Sequence, residues 1–175
     1  FNLAYKTELH QIQAALYAQV RRGRYYWPSW PMYSLAFKRK NGIKVAVNED
    51  QHQIPTMEGF LDEGVWKAGP GPFPTAVQWT PRQSPPSSPR GRSECDEKTL
   101  RKWSDSGWAM APYKFKTEHG VIDNEGNERV PNADERERLH GFKQGHTAGF
   151  PEGRRKSFIG NTFMCVVVAM LLSHW

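Results

Sequence analysis

The chain has 175 residues, a length that suits one ordinary domain. Its apolar fraction is 38%, below the about 45–50% of a typical soluble domain, and it carries 13 prolines and 15 glycines. A large continuous core is excluded, and small clusters under long irregular connections are expected. The net charge of +6 favours an anionic partner, either nucleic acid or an acidic membrane surface, with plain solubility as the alternative.

Arg21, Arg22 and Arg24 form one basic group, Lys38, Arg39 and Lys40 a second, Arg90 and Arg92 a third, and Arg154, Arg155 and Lys156 a fourth. The two cysteines, Cys95 and Cys165, lie in contrasting polar and apolar surroundings, so no disulfide framework is expected. A reducing compartment fits, nuclear or otherwise intracellular. The N-terminus has no basic segment followed by an apolar core, as a signal peptide would, and no initiating Met, so the chain reads as a fragment.

In chain order, Leu9, Ile12, Leu16 and Val20 recur at helical spacing and predict a helix over 7–22, with Thr7 as its cap and Gly23 as its stop. The run from Arg24 to Tyr33 is aromatic, basic and broken by Pro28 and Pro31. Its rings either stack on exposed bases or pack against the prolines as a loop anchor. Residues 34–40 read as a short strand or a turn of helix, and 43–47 alternate as a half-buried strand. Residues 57–66 suggest a short helical turn. Residues 68–92 are too rich in Pro and Gly for a helix or a sheet interior, apart from one short extended piece at 76–79. A helix is expected over 94–103, a strand over 113–117 and a turn over 123–127.

No repeat and neither common phosphate-binding glycine motif occurs, and the histidines and cysteines lack zinc-ligand spacing. Neither a Ser-His-Asp nor a Cys-His arrangement can be assembled from this order.

The last quarter is the most legible. Asn132 is a good N-cap, and Glu135 stands three residues later, as a capping box requires. Asp134 and Arg138 are spaced as an i,i+4 pair, Leu139 is the apolar anchor, Gly141 a left-handed stop, and Phe142 folds back. A second helix is expected from Asn161 or Thr162 onward, with the cap at Gly160-Asn161-Thr162 offering free N–H groups to a polar ligand. Residues 163–172 are apolar all round and predict a helix buried on most sides. Ten residues fall well short of the about 20 a bilayer span needs, so a membrane partner is not expected.

These two segments resemble the C-terminal end of the C5-cytosine DNA methyltransferases. Arg129, Glu135, Leu139, Gly141 and Phe142 stand in the register of that family's ninth conserved motif, and Gly160, Asn161 and Thr162 in that of its tenth. The resemblance implies a Rossmann-like α/β methyltransferase, of which this chain would be a loop-rich α+β fragment lacking the nucleotide-binding half. Residues 1–26 would be an N-terminal helix and basic turn, 27–128 a target-recognition region, and 129–175 the two closing motifs. The resemblance further implies that Gly160, Asn161 and Thr162 touch S-adenosylmethionine and that Arg129 and Glu135 organise the fold. It implies DNA as partner, contacted by Arg21, Arg22, Arg24, Arg90 and Arg92, together with a missing catalytic half.

The chain departs from the family where chemistry is done. Lys143 replaces the Pro that follows Gly-Phe, and Thr162 replaces a Ser or Ala. Neither cysteine lies in Pro-Cys-Gln, the nucleophile motif, and the cofactor glycine loop is missing. Gln19-Val-Arg21-Arg22-Gly23-Arg24 stands where a Gln-x-Arg-x-Arg motif belongs, with one residue too many. No catalytic residue is expected in this chain. An accessory nucleic-acid-binding module of the same descent, or an unrelated interaction protein with a hydrophobic C-terminal helix, are the alternative readings.

Overall fold

The computed structural model describes residues 8–30, 32, 35–47, 56–57, 59–74, 82–87, 93 and 95–173. Its first element corrects the sequence reading. His10–Gln13 is a strand (β1), followed by one 3-10 turn at Ala14–Leu16, where a continuous helix was expected. Thr7 lies outside the described residues. β1 is held on both sides, antiparallel to Gly23–Tyr26 (β2) and parallel to Ile43–Ala46 (β4). Two sets of ladder hydrogen bonds outweigh a weak local helical preference. Of the residues whose spacing suggested a helix, Ile12 and Val20 are buried in this arrangement, and Leu9 and Leu16 are half-buried.

Phe37–Lys40 (β3) completes the first sheet, in the order β2-β1-β4-β3. β3 and β4 are joined by Asn41-Gly42, both at positive φ (49° and 78°), as a tight hairpin turn demands. An Asn-Gly pair between alternating residues is the sequence signal for such a hairpin.

A second, smaller sheet is antiparallel throughout. It orders Trp66–Lys67 (β5), Val121–Ile122 (β6) and Glu128–Arg129 (β7). The β6–β7 turn falls on 123–127, as expected, and the Asp123 carboxylate accepts from the backbone N–H groups of Glu125 and Asn127.

Glu97–Asp105 forms a helix (α1) three residues later than the sequence suggested, because Asp96 caps it by accepting from Thr99 N–H. Trp103 is wholly buried in α1 and meets Trp108 edge to face at 4.9 Å. The strand expected over 113–117 is instead a 3-10 turn at Pro112–Phe115 followed by another at Thr117–His119. Pro112 opens the first turn, and Lys114 and Phe115 are both buried, which alternation does not allow.

Ala133–Leu139 (α2) has the predicted capping box: Asn132 Oδ1 accepts from Glu135 N–H at 2.8 Å, and a Glu135 oxygen accepts from Asn132 N–H at 2.8 Å. Glu152–Asn161 (α3) was not expected, although Pro151 at its start and Glu152 in its first turn are conventional opening signals. Cys165–Leu172 (α4) begins three residues after Thr162, so Gly160-Asn161-Thr162 does not cap it. Asn161 instead ends α3 and Thr162 is its C-cap.

The core joins β1, Val20, Leu35, Phe73 and Val121 to Leu139, Met164, Val167 and Leu171. α4 therefore buries one face. Phe163, Val166 and Leu172 remain 56%, 40% and 51% exposed, which corrects the expectation of burial on most sides. By length and composition 152–172 is apolar enough to cross a membrane, but the helix is broken at 162–164 and Arg154, Arg155 and Lys156 fall within the stretch.

Gly141 is the tightest point between α2 and α4. Its φ is +84°, and a Cβ there would lie 2.9 Å from the Cβ of Cys165. Gly126 has a similar φ of +82° but faces open space. Gly141→Ala should therefore cost roughly 2 kcal/mol or more in urea unfolding, and Gly126→Ala about 1 kcal/mol. Equal losses would mean that backbone conformation alone, and not the contact with Cys165, makes glycine necessary.

Candidate functional site

The residues singled out in the last quarter converge on α2. Arg129 stands on β7, and Val130-Pro131 turns the chain so that its guanidinium meets the end of α2. It donates to both oxygens of Glu135, at 2.6 and 2.9 Å. Glu135 is completely buried and also accepts from the backbone N–H of Asp62, at 3.3 Å. This planar two-bond pairing is the strong form of an ion pair. It raises the pKa of Arg129 further, chiefly through the hydrogen bonds to Glu135.

The expected Asp134–Arg138 pair does not form. Arg138 donates to Asp62 at 2.6 Å and to the Phe60 carbonyl at 2.9 Å, while Asp134 accepts from Arg155 of α3 at 2.6 Å. Long-range partners displace a local contact worth only about 0.3 kcal/mol. Glu137, also fully buried, accepts from the N–H groups of His146 and Thr147 and from Arg155. Burial opposes its charge, but the Thr147 and Arg155 hydrogen bonds keep its carboxyl below the usual range.

The two motif segments meet directly. Cys165 N–H donates to the His140 carbonyl at 3.0 Å, so the last turn of α2 caps the start of α4. Gly160 is buried, Thr162 is half-buried with its hydroxyl on the Ile159 carbonyl, and the Asn161 side chain is exposed. The expected free N–H groups are absent from this place. What it offers is one exposed amide, Asn161, beside a helix C-terminus.

Arg22 was expected to touch nucleic acid. It is buried instead, donating to the Gly160 carbonyl at 3.0 Å and to the Thr162 carbonyl. The negative end of α3 draws this cation inward, and burial lowers the pKa of Arg22. Arg21 is exposed, and Arg24 is half-buried with one guanidinium nitrogen on the Gly23 carbonyl. Arg90 and Arg92 lie outside the described residues. Lys38, Arg39 and Lys40 are exposed along β3, with Arg39 paired to Glu8 at 2.8 Å.

The aromatic run divides between its two expected roles. Trp30 Nε1–H donates to the Leu171 carbonyl at 3.0 Å and the Tyr26 ring sits 6.2 Å from that of Phe163, which anchors the loop on α4. Tyr25 and Trp27 stay half-exposed along a groove of about 490 Å³ between this loop and α4. Burial raises the pKa of the Cys165 thiol, which disfavours the thiolate form a nucleophile needs. Among the described residues no group of His, Cys, Asp and Glu is arranged to hold a metal ion.

No family model and no characterised protein sequence matches the chain. A triple-alanine mutant of Spodoptera frugiperda DNMT2 is similar in three dimensions, at 10% identity and a TM-score of 0.48. The alignment covers 95% of this chain and 57% of that one, so the chain spans little more than half of the protein it resembles. A likeness this loose carries no argument, and the functional reading stands on the residues described above.

Two measurements check this geometry. Glu135→Gln leaves Arg129 facing a neutral group and should cost about 3 kcal/mol in urea unfolding. Glu97→Gln, which loses only an exposed pair with Arg101 at 3.6 Å, should change stability by less than about 0.5 kcal/mol. Comparable effects would show that the buried carboxylate is not the joint described. The second measurement concerns His140, whose pKa is depressed to about 4, first by burial. Between pH 6.5 and 4 the unfolded chain takes up a proton the folded chain refuses, so stability falls as pH falls through this window. The loss should reach about 3 kcal/mol, and His140→Leu should flatten that part of the profile.

Proposed function

We propose that the chain is the C-terminal part of a C5-cytosine DNA methyltransferase or of a protein of that descent, contributing DNA recognition and one wall of an S-adenosylmethionine pocket. One observation carries this reading. The end of the segment with the ninth-motif pattern packs on the residues that follow Gly160-Asn161-Thr162, through Gly141 against Cys165 and through Cys165 N–H on the His140 carbonyl. In this reading Arg129 and Glu135 fix the frame, and Gly160, Asn161 and Thr162 shape the pocket wall. Asn161 is the side chain free to meet the cofactor's polar end. Thr162 keeps an acceptor lone pair beside it.

The chain does not catalyse methyl transfer by itself. In a complete enzyme of this class a thiolate attacks C6 of a flipped cytosine before a methyl group is passed to C5. No residue here has that role. The exposed apolar face of α4 and the groove beside Tyr25 and Trp27 are then surfaces for the missing catalytic half. The place of work is a reducing, nuclear or otherwise intracellular compartment.

Fluorescence anisotropy with duplex DNA, titrated with salt, tests the recognition part. Binding should weaken linearly in log–log form, and Arg21→Ala and Lys38→Ala should each reduce the slope by about 1. Absence of binding at 50 mM salt, taken as about the low end of such titrations, would remove DNA recognition from the reading. Methyl transfer to DNA by the purified chain, abolished by Cys95→Ser, would overturn the non-catalytic assignment.

The apolar face of α4 also favours a second reading, an interaction protein that docks through this helix. It differs in its outcome: vesicle or partner binding lost on Phe163→Ser, with DNA binding absent at every salt concentration.

A further inference from the structure

Among the described residues β2 is a border strand, and its outer backbone row is open. Ala14 N–H donates to the Arg22 carbonyl at 3.1 Å, and in the same register Ile12 stands opposite Arg24 and His10 opposite Tyr26. Bonded and non-bonded positions alternate along an antiparallel pair. Arg24 and Tyr26 therefore turn their N–H and C=O groups to β1, and Gly23 and Tyr25 turn theirs outward. Trp27 continues the alternation just beyond the strand. The Gly23 carbonyl accepts from the Arg24 guanidinium at 2.9 Å and keeps a second lone pair. The Tyr25 N–H and C=O have no partner among the described residues. Tyr25 and Trp27 are 50% and 53% exposed.

An open row of this kind is a template for one more strand, and this one is complementary to itself. With a second copy laid antiparallel about a twofold axis at Tyr25, Tyr25 meets the other copy's Tyr25, and Gly23 meets the other copy's Trp27. These are all outward-facing positions, so donors and acceptors match. An indole laid across a border glycine covers backbone that glycine leaves bare. Gly23 has room for it, since an added Cβ there would come no nearer than 3.6 Å, to Gln13 Nε2. Arg24 then stands opposite the other copy's Tyr26, a cation beside a ring. An axis at Arg24 would instead set two arginines directly opposite each other, which is unfavourable. The other border, β3, carries exposed Lys38 and Lys40 and disfavours the same contact. In a pairing through β2 these charges lie at the two far ends of the joined sheet.

We propose that a second copy of this chain docks on β2, joining two four-stranded sheets into one by an antiparallel pairing that sets Tyr25 on Tyr25 and Gly23 on Trp27. The contact is the same patch on both copies, so it closes at two. A pairing of this length buries less than about 1,200 Å², the range of weak, reversible complexes. Each copy carries a net charge of +6, so salt screens the repulsion and tightens the dimer. Binding to nucleic acid has the opposite dependence, because salt weakens it. The contact uses the backbone row of β2 and is independent of the DNA and S-adenosylmethionine assignments.

Sedimentation equilibrium of the full chain, freed of nucleic acid and run from micromolar to millimolar concentration, tests the association. The mass should climb from one copy towards two, and at lower concentration in higher salt. Tyr25→Pro removes an outward N–H and spares the β1 ladder, as proline on a border strand does, and should hold the chain monomeric. Trp27→Lys should weaken association by about tenfold or more, and Lys38→Gln should not weaken it. Oxidative cross-linking reads the register. Residues in a bonded pair have Cα atoms about 5.5 Å apart, within disulfide reach. Tyr25→Cys should therefore form a covalent dimer much faster than Arg24→Cys or the unaltered chain, in which Cys95 and Cys165 supply the background. A chain that stays monomeric throughout, or a dimer that Tyr25→Pro and Trp27→Lys leave unchanged, would overturn the proposal. So would a dimer lost on Phe163→Ser but kept in Trp27→Lys, which puts the contact on α4. A monomer that binds anionic lipid vesicles through Trp27 would give the border to a membrane instead. If Tyr25→Pro does not fold, Trp27→Lys and the cross-linking of Tyr25→Cys decide.

Discussion

The Glu135 carboxylate is the constraint on which the rest of the C-terminal half depends. It accepts from the backbone of Asn132, from both arms of the Arg129 guanidinium and from the backbone of Asp62. A helix of seven residues has no stability of its own. This one is fixed because a single buried anion ties its first turn to the edge of the small sheet and to the backbone at Asp62. Asp62 extends the joint by accepting from Asn132 and from Arg138. Removing a central carboxylate of this kind releases several elements together, whereas removing a surface ion pair releases none.

Arg22 makes the matching joint at the other end of the chain. Its guanidinium closes the C-terminal carbonyls of α3, which binds the N-terminal sheet to the final helices across nearly the whole sequence. Position in a basic cluster suggested a surface contact. The deciding factor is geometric, because Arg22 follows a chain reversal whose neighbours Val20 and Phe73 are buried in parallel pairing. One arginine of the group points inward, Arg21 points outward, and sequence alone does not distinguish them.

The legible parts were those written in local chemistry. The capping box of Asn132 and Glu135, the glycine stop at 141, the 123–127 turn and the strand at 43–46 follow from short-range rules. The illegible parts depended on distant partners. β1 became a strand because β2 and β4 flank it, and Lys114 became a buried residue because a proline-led turn carries it inward. Gly160-Asn161-Thr162 was expected to open the last helix and instead closes α3. The Gly-Asn-Thr signal is equally compatible with closing α3 and opening α4, and the C-terminal anchoring of Arg22 selects the former. The mixed α/β architecture, with two small sheets and four short helices among the described residues, was legible only as a class.

The two borders of the first sheet are unlike. β3 carries exposed Lys38 and Lys40, and these charges disfavour the approach of the same edge of another copy. β2, the opposite border among the described residues, has exposed Tyr25 on it and exposed Trp27 just beyond. One border is guarded against edge-to-edge association and the other is sticky. Of the two borders of this sheet, β2 is the one that favours association with another strand. The sheet therefore carries a polarity of solubility, and the placement of a tag or fusion partner decides whether that border stays shielded.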